Sequence, residues 1–122
     1  MDNTKSFREL IVWQKAHALV IDVYKIAKKF PQDEIYALTQ QLRRAAVSIP
    51  ANIVEGYKKK TKPSKLNYLN ISEGSLEECK YYFILSCDLE YITQKEADKL
   101  TTKAEEVGRI LNGYYNSINN SR

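Results

Sequence analysis

The segment from residue 43 to residue 65 carries the side chains best suited to chemistry, and that chemistry is the binding of phosphate. Its only acid is Glu55, so it has an excess of six positive charges, whereas the whole 122-residue chain has a net charge of +4. Lysine and arginine bind nucleic acids by displacing counterions, and a tyrosine ring can stack on an unpaired base. A solvated loop that only maintains solubility is the alternative. We predict a nucleic-acid-binding surface formed by Arg43, Arg44, Tyr57, Lys58, Lys59, Lys60, Lys62 and Lys65.

Residues that could hold a metal ion or a cofactor are scarce. His17 is the only histidine, and no cysteine or carboxylate accompanies it at ligand spacing. The P-loop, the zinc-protease motif and the nucleophile elbow of hydrolases are absent. Cys79 and Cys87 lie eight residues apart in one expected helix, too far to bridge, and are interpreted as buried free thiols. We therefore expect no metal, no cofactor and no enzymatic activity.

Glu73 falls on the expected core stripe of the third helix, where an unpaired carboxylate is costly. The favoured interpretation is a buried ion pair with Arg43 or Arg44 of the second helix, and the alternative is a catalytic acid. On a helical wheel, Glu55 shares a flank with Arg44 and Ser48. Ser48, Glu55 and Glu73 are therefore expected to have structural polar roles.

Apolar residues recur at alternating spacings of three and four, which is typical of helices with one face in a core. These stripes predict helices over about 8–30, 34–60, 63–91 and 94–118. S-x-x-E capping boxes mark the first helix at Ser6 and the fourth at Thr93, and Pro63 suits the first turn of the third. Long helices with short connections predict an all-α, up-down-up-down antiparallel four-helix bundle, with residues 1–122 as a single domain.

Pro50 falls within the second helix without interrupting its apolar stripe, so we expect one helix that is kinked there. The helical wheel places Val47, Pro50 and Val54 opposite the core stripe, on a face that is apolar where a solvated helix would be charged. An interface with another subunit would explain this face, and a few harmless exposed apolar residues are the alternative. The third helix ends in a stretch that is apolar nearly all round and could complement that face in a head-to-tail ring. The residues of that patch are Tyr81, Leu85 and Leu89.

The chain contains no apolar run near the ~20 residues that span a bilayer. Its first ten residues are polar and lack the basic start and apolar core of a signal peptide. We therefore expect a cytoplasmic protein.

Three segments carry more specific motifs: FRELIVWQKAHAL (7–19), LTQQLRRAAVSIPANIVEGYKK (38–59) and LNISEGSLEE (69–78). They resemble the bacterial four-helix-bundle proteins encoded within 23S rRNA intervening sequences, and the resemblance extends over residues 7–118. These proteins are in turn similar to the accessory variability determinant of diversity-generating retroelements. The resemblance implies a barrel-like homopentamer that presents basic residues to RNA or DNA. For the retroelement relatives it also implies a reverse transcriptase as partner.

By position, Arg43 and Arg44 match the basic pair in the second helix of that family. The chain departs from the family at Val54 and Glu73, where relatives usually have alanine, and its basic run is mostly lysine where relatives often have arginine. Lysine keeps the charge but lacks the bidentate geometry of arginine on phosphate. We therefore predict a non-enzymatic homo-oligomer that binds nucleic acid, RNA more than DNA. A scaffold that docks a reverse transcriptase or a ribosome-associated protein is the alternative.

Overall fold

Four long helices form most of the chain in the computed structural model, which describes residues 4–122. They are α1 (Ile11–Ala27), α2 (Leu38–Lys58), α3 (Lys62–Asp88) and α4 (Gln94–Asn119). Short 3₁₀ turns, Phe7–Glu9 and Gln32–Glu34, precede α1 and α2. Each helix packs on the next along the chain, and α1 also packs on α4. The molecule is therefore an all-α, up-down four-helix bundle, which confirms the predicted fold class.

The core lies along the bundle axis and takes one apolar face from each helix. Its centre is filled by long side chains that are at most 2% exposed, and interiors packed in this way tolerate little loss of volume. These side chains are Leu19, Leu42, Ile49, Ile53, Leu69, Leu76, Phe83 and Leu111.

The connection between α1 and α2 is longer than predicted. α1 ends at Ala27 instead of residue 30, and α2 begins at Leu38 instead of residue 34. Because Gln32–Glu34 forms a separate 3₁₀ turn, its acids lie outside α2. Glu34 still serves that helix, since its Oε1 accepts a hydrogen bond from the backbone N–H of Leu38 at 3.3 Å.

Both predicted capping boxes are present. Ser6 and Glu9 cap the 3₁₀ turn before α1, and Thr93 and Glu96 cap α4. Pro63 lies in the first turn of α3, as predicted. The two capping boxes satisfy backbone N–H groups that have no partner within the turn or helix, and the second box fixes where α4 begins.

Pro50 lies inside α2, which continues through it as one helix. The residue is buried within the protomer, so the prediction that it shares an outward face with Val47 and Val54 is wrong. α2 packs against both α1 and α3. Its buried face therefore includes Ala46 and Ile53 as well as Pro50.

Glu73 is exposed, so the prediction of a carboxylate in the core is wrong. The core position belongs to Ser72, whose Oγ donates a hydrogen bond to the carbonyl oxygen of Ile49 at 2.8 Å. A small hydroxyl satisfied in this way is tolerated in an apolar surrounding. Within residues 4–122, neither Arg43 nor Arg44 forms an ion pair. Glu73 therefore lacks the buried setting on which its predicted ion pair and the catalytic alternative both depended.

Ser48 joins a polar network, but with partners other than those expected. Its Oγ accepts a hydrogen bond from the hydroxyl of Ser75 on α3 at 2.8 Å. The Nδ2 of Asn52 donates to the Oγ of Ser48 at 2.9 Å and to its carbonyl oxygen at 2.8 Å. Glu55 is exposed and forms no described contact with this network. Hydroxyl and amide groups, and not charges, therefore link α2 to α3 here.

Gly56 allows α2 and α3 to approach closely near their junction. It is buried, and a Cβ atom there would lie 3.2 Å from the carbonyl oxygen of Lys65 and 3.3 Å from the Cβ of Tyr68. Both are tight contacts with atoms close to the α3 backbone. The absence of a side chain therefore helps to set the spacing of the two helices beside the basic segment.

The remaining groups of chemical interest have ordinary surroundings. Cys79 is buried, which raises the pKa of its thiol to about 12, so the group is protonated at neutral pH. Cys87 is also a free thiol but is only half-buried, so the expected burial holds for Cys79 alone. His17 is exposed and stacks on Trp13, with ring centroids 4.9 Å apart. In the described part of the chain, no three potential ligands cluster to hold a metal ion, and no helix could span a membrane.

We expect Glu96→Gln to make thermal stability less sensitive to acid. The Lys29 ammonium, 2.5 Å from the carboxylate, and the backbone N–H of Thr93 lower the pKa of Glu96. A carboxyl group whose pKa is lowered by folding adds stability above its unfolded pKa, and this contribution is lost as pH falls through the folded pKa. Melting temperatures measured by circular dichroism should therefore differ at neutral pH and converge in acid. Glu105→Gln removes an exposed acid of the same helix and should follow the wild type, whereas equal curves for all three proteins would contradict this role.

Candidate nucleic-acid interface

The lysine end of the bundle is the surface where α2 ends and α3 begins, formed by Lys58, Lys59, Lys60, Lys62 and Lys65. Lys58 and Lys60 are exposed, and neither takes part in an ion pair with any described residue. The Nζ of Lys59 lies 5.1 Å from the ring centroid of Tyr68, a distance typical of a cation–π contact. Lys58 and Lys60 are therefore the part of the predicted surface that is most available to phosphate.

Lys62 and Lys65 are engaged at helix ends. The Nζ of Lys65 donates to the carbonyl oxygen of Tyr57 at 2.9 Å, in the last turn of α2. The Nζ of Lys62 donates to the carbonyl oxygen of Asn119 at 3.2 Å and to that of Ser121, at the end of α4. Carbonyl groups in the last turn of a helix lack partners within it, and lysine side chains can satisfy them. These two residues therefore hold the end of the bundle together.

Tyr57 is half-buried and has partners within the protomer. Its hydroxyl lies 2.9 Å from the Oγ1 of Thr4 and donates to the Thr4 carbonyl oxygen at 3.2 Å. The Nζ of Lys65 lies 5.9 Å from its ring centroid. Stacking on a base, the role predicted for Tyr57, would require its ring to give up part of this packing.

Basic residues from other parts of the chain, which are absent from the predicted surface, join the lysine end. The bond between Thr4 and Tyr57 brings the exposed Lys5 and Arg8 to this end. The contact of Lys62 with Ser121 brings Arg122 there as well. An antiparallel bundle places the start of its first helix and the end of its fourth beside the turn between the second and third. The predicted antiparallel topology would therefore have been enough to place Lys5, Arg8 and Arg122 at the lysine end.

Arg43 and Arg44 do not belong to the lysine end. They precede Lys58 by fourteen residues or more, which corresponds to about 21 Å along a helix. They line a separate open groove with a volume of about 690 Å³, which we call the arginine groove. The predicted single basic surface is therefore two surfaces. The groove is lined by Tyr24, Ile35, Tyr36, Gln40, Arg43, Arg44, Val47, Ser48, Ala51 and Asn52.

Within the arginine groove, Arg43 is partly buried and Arg44 is exposed. The guanidinium carbon of Arg43 lies 5.0 Å from the ring centroid of Tyr24 on α1. Its Nε is buried and has no hydrogen-bond partner among the described residues. The Arg43 side chain is thus held in place by an aromatic ring while part of its hydrogen-bonding capacity is unused.

The residues predicted to contact another subunit differ in exposure. Val47, Tyr81 and Leu89 are exposed, which suits a contact surface. Val54 and Leu85 are half-buried within the protomer. Val47 also lines the arginine groove, so the outward side of α2 is continuous with that groove.

Fold and charge together define the class of protein: a small all-α four-helix bundle with basic residues gathered around the turn between its second and third helices. The family model described as 23S rRNA-intervening sequence protein matches residues 8–113. The chain therefore belongs to the 23S rRNA-intervening sequence protein family, which confirms the resemblance of the three quoted segments.

A solved structure from Bacteroides thetaiotaomicron has the same fold. It is described as a protein of unknown function from the S23 ribosomal protein family and has a TM-score of 0.79 with this chain. The match covers 86% of this chain and 98% of that one at 23% sequence identity, so it shows the fold alone. A search of curated proteins found no match.

We expect Lys65→Met to lower the free energy of unfolding with little effect on affinity for RNA. We expect Lys60→Met to lower the affinity for RNA with little effect on the free energy of unfolding. Lys65 bonds to the end of α2, and loss of one such hydrogen bond costs about 1 kcal/mol in the free energy of unfolding. Lys60 is exposed and makes no such bond. Urea denaturation and RNA titration of both variants test the pair. Equal losses of affinity with unchanged stability in both would contradict the structural role of Lys65.

Proposed function

We propose that this chain is a non-enzymatic, homo-oligomeric protein that binds nucleic acid, RNA in preference to DNA, through the lysine end. The observation that carries the proposal is the cluster of exposed cations there: Lys58 at the end of α2 and Lys60 on the turn, joined by Lys5 and Arg8. Cations that are not paired within the protein are the groups that release counterions from a phosphate backbone. The preference for RNA over DNA is part of this proposal and is tested by titrating both nucleic acids.

The chemistry of the lysine end favours contacts with the backbone over recognition of bases. A lysine ammonium is a mobile point charge and lacks the planar fork with which arginine grips phosphate or guanine. Tyr57, the aromatic residue expected to stack, is occupied within the protomer. We therefore expect binding at this end to depend strongly on charge and weakly on sequence.

Self-association would strengthen such binding. Tyr81 and Leu89 are exposed apolar side chains outside the lining of the arginine groove and are available for contacts between subunits. In a closed ring, here proposed as a pentamer, the lysine ends of all copies would face the same side and form one extended positive field. Light scattering tests this part of the proposal. A measured particle mass of 14.1 kDa, that of a single chain, at micromolar protein concentration would exclude the ring.

The salt dependence of RNA binding tests the function itself. Each phosphate neutralised lowers the slope of log affinity against log salt by about 0.7 to 0.9. Titration of a structured RNA and a DNA duplex between ~50 and ~200 mM salt should show a steep loss of affinity for both and tighter binding of the RNA. Binding that is absent at low salt, or that is insensitive to salt, would refute the proposal.

A second candidate function is a scaffold that docks a partner polypeptide, such as a reverse transcriptase or a ribosome-associated protein. It is favoured by exposed apolar side chains away from the lysine end, such as Ile84 and Leu89 near the end of α3. In that case the lysines would only maintain solubility. Reversal of their charge would then leave the cellular function of the protein unchanged.

A further inference from the structure

The arginine groove carries positive charge that nothing in its lining balances. It contains Arg43 and Arg44 and no aspartate or glutamate. The buried Nε of Arg43 has no hydrogen-bond partner among the described residues. Two guanidinium groups without a neighbouring carboxylate favour an anionic ligand in the groove.

An aromatic side chain lies beside these cations. Tyr36 is 88% exposed, an unusual value for so large a side chain. The segment that carries it is anchored on one side, because Glu34 accepts hydrogen bonds from the hydroxyl of Tyr91 at 2.6 Å and from the backbone N–H of Leu38 at 3.3 Å. The ring of Tyr36 is therefore presented to solvent from a fixed segment, next to an arginine that already contacts Tyr24.

Uncharged polar groups complete the lining. Gln40, Ser48 and Asn52 contribute amide and hydroxyl groups of the kind that bind the edges of nucleobases. The Nδ2 of Asn52 donates to Ser48, which orients the amide of Asn52. The volume of about 690 Å³ falls within the range of roughly 300–1,000 Å³ that is typical of small-ligand sites.

We propose that the arginine groove binds one unpaired nucleotide of single-stranded RNA, with its base stacked on Tyr36 and its phosphate held by Arg43 and Arg44. This inference rests on the proposed function and adds to it a site for an unstacked base, which the lysine end lacks. A nucleotide supplies both a planar ring and an anion in one ligand. An apolar patch of a second copy would supply apolar surface but no anion.

The position of the groove also predicts how a strand would run. Arg44 and Lys58 lie about 21 Å apart along α2, so one single strand can contact both surfaces if it follows this helix. A rigid duplex contacts the lysine end through its phosphates, but its paired bases cannot stack on Tyr36. Single-stranded and duplex RNA therefore separate the two sites.

The test is the binding of a short oligoadenylate containing a fluorescent adenine analogue, compared with an RNA duplex of the same length. We expect Tyr36→Ala to weaken binding of the single strand about tenfold, the effect of losing one stacked base. Binding of the duplex should be unchanged. Tyr36→Phe, the matched control, keeps the ring and should retain wild-type affinity. Arg44→Gln should reduce the salt slope of single-strand binding by about 0.7, the value for one phosphate contact.

Three results would overturn the inference. If Tyr36→Ala binds the single strand as tightly as the wild type does, the groove is not the site, although RNA binding by the lysine end stands. If the wild type binds neither RNA, the proposed function fails and the inference fails with it. If Tyr36→Ala lowers the molecular mass measured by light scattering, a second copy of the chain occupies the groove instead.

Discussion

Replacing Lys58, Lys59 and Lys60 together by glutamate should abolish RNA binding at physiological salt while leaving helical content unchanged. The three residues lie at the end of α2 and in the turn after it, and none forms an ion pair or hydrogen bond with a described side chain. Their reversal changes the local charge by six units and places three anions where the proposal puts phosphate. Fluorescence anisotropy with a structured RNA measures the loss, and circular dichroism checks the fold.

The matched control reverses the same number of charges at the opposite end of the bundle. Lys25, Lys28 and Lys95 are exposed and lie near the end of α1 and the start of α4, so their replacement by glutamate gives the same net charge. If binding depends only on the total charge, both triple variants lose it equally, and the lysine end is not the site. If only the variant of Lys58, Lys59 and Lys60 loses RNA binding, the binding site lies at the lysine end.

The same variant separates the two candidate functions. A nucleic-acid-binding protein loses its cellular function with the three lysines even when its oligomer is intact. A scaffold retains its function, because its partner would bind apolar surfaces that the substitutions do not change. Unaltered cellular function in a variant that no longer binds RNA would therefore favour the scaffold.

Phe83→Ala is expected to lower the free energy of unfolding by about 3–5 kcal/mol. Phe83 is 1% exposed and is the largest of the fully buried side chains, in the second half of α3. Loss of its ring leaves a cavity that the helices on either side cannot fill without moving. A small domain is stable by only about 5–15 kcal/mol, so the variant should melt at a much lower temperature or fold incompletely.

The neighbouring residue provides the control. Ile84 is 58% exposed, so Ile84→Ala should change the free energy of unfolding by no more than about 0.5 kcal/mol. Both variants should be compared with the wild type at one protein concentration, because self-association contributes to apparent stability. A loss for Ile84→Ala as large as that for Phe83→Ala would show that Ile84 is buried in an assembly. A loss for Phe83→Ala as small as that expected for Ile84→Ala would contradict the place of Phe83 in the core.

The fold could be predicted from the sequence because its signals are local. Apolar spacing identified four helices, and the capping boxes at Ser6 and Thr93 are both formed. The interval between Ala27 and Leu38 was misjudged because helix boundaries depend on local hydrogen bonds that spacing does not specify. Glu73 was wrongly placed in the core because apolar spacing does not show that a backbone carbonyl can satisfy the buried hydroxyl of its neighbour Ser72.

The candidate site was predictable in composition but not in arrangement. The lysine run was evident, yet the bond between Lys65 and the end of α2 depends on how two helix ends meet. The separation of Arg43 and Arg44 from the lysines follows from the length of α2 and could have been calculated from its predicted bounds. The exposure of Tyr36 could not, because a stretch expected to be helical forms a 3₁₀ turn and a connection instead.

The bonds from Tyr57 to Thr4 and from Lys62 to Ser121 have a practical consequence for anyone who prepares this protein. They place Thr4 and Ser121 beside the cations proposed to bind RNA, so an affinity tag or fluorescent group attached close to either residue would crowd that surface. A tag that contains acids would compete with the RNA for it. Reporter groups belong at the other end of the bundle, in the connection between α3 and α4, because the connection between α1 and α2 carries Tyr36 of the arginine groove.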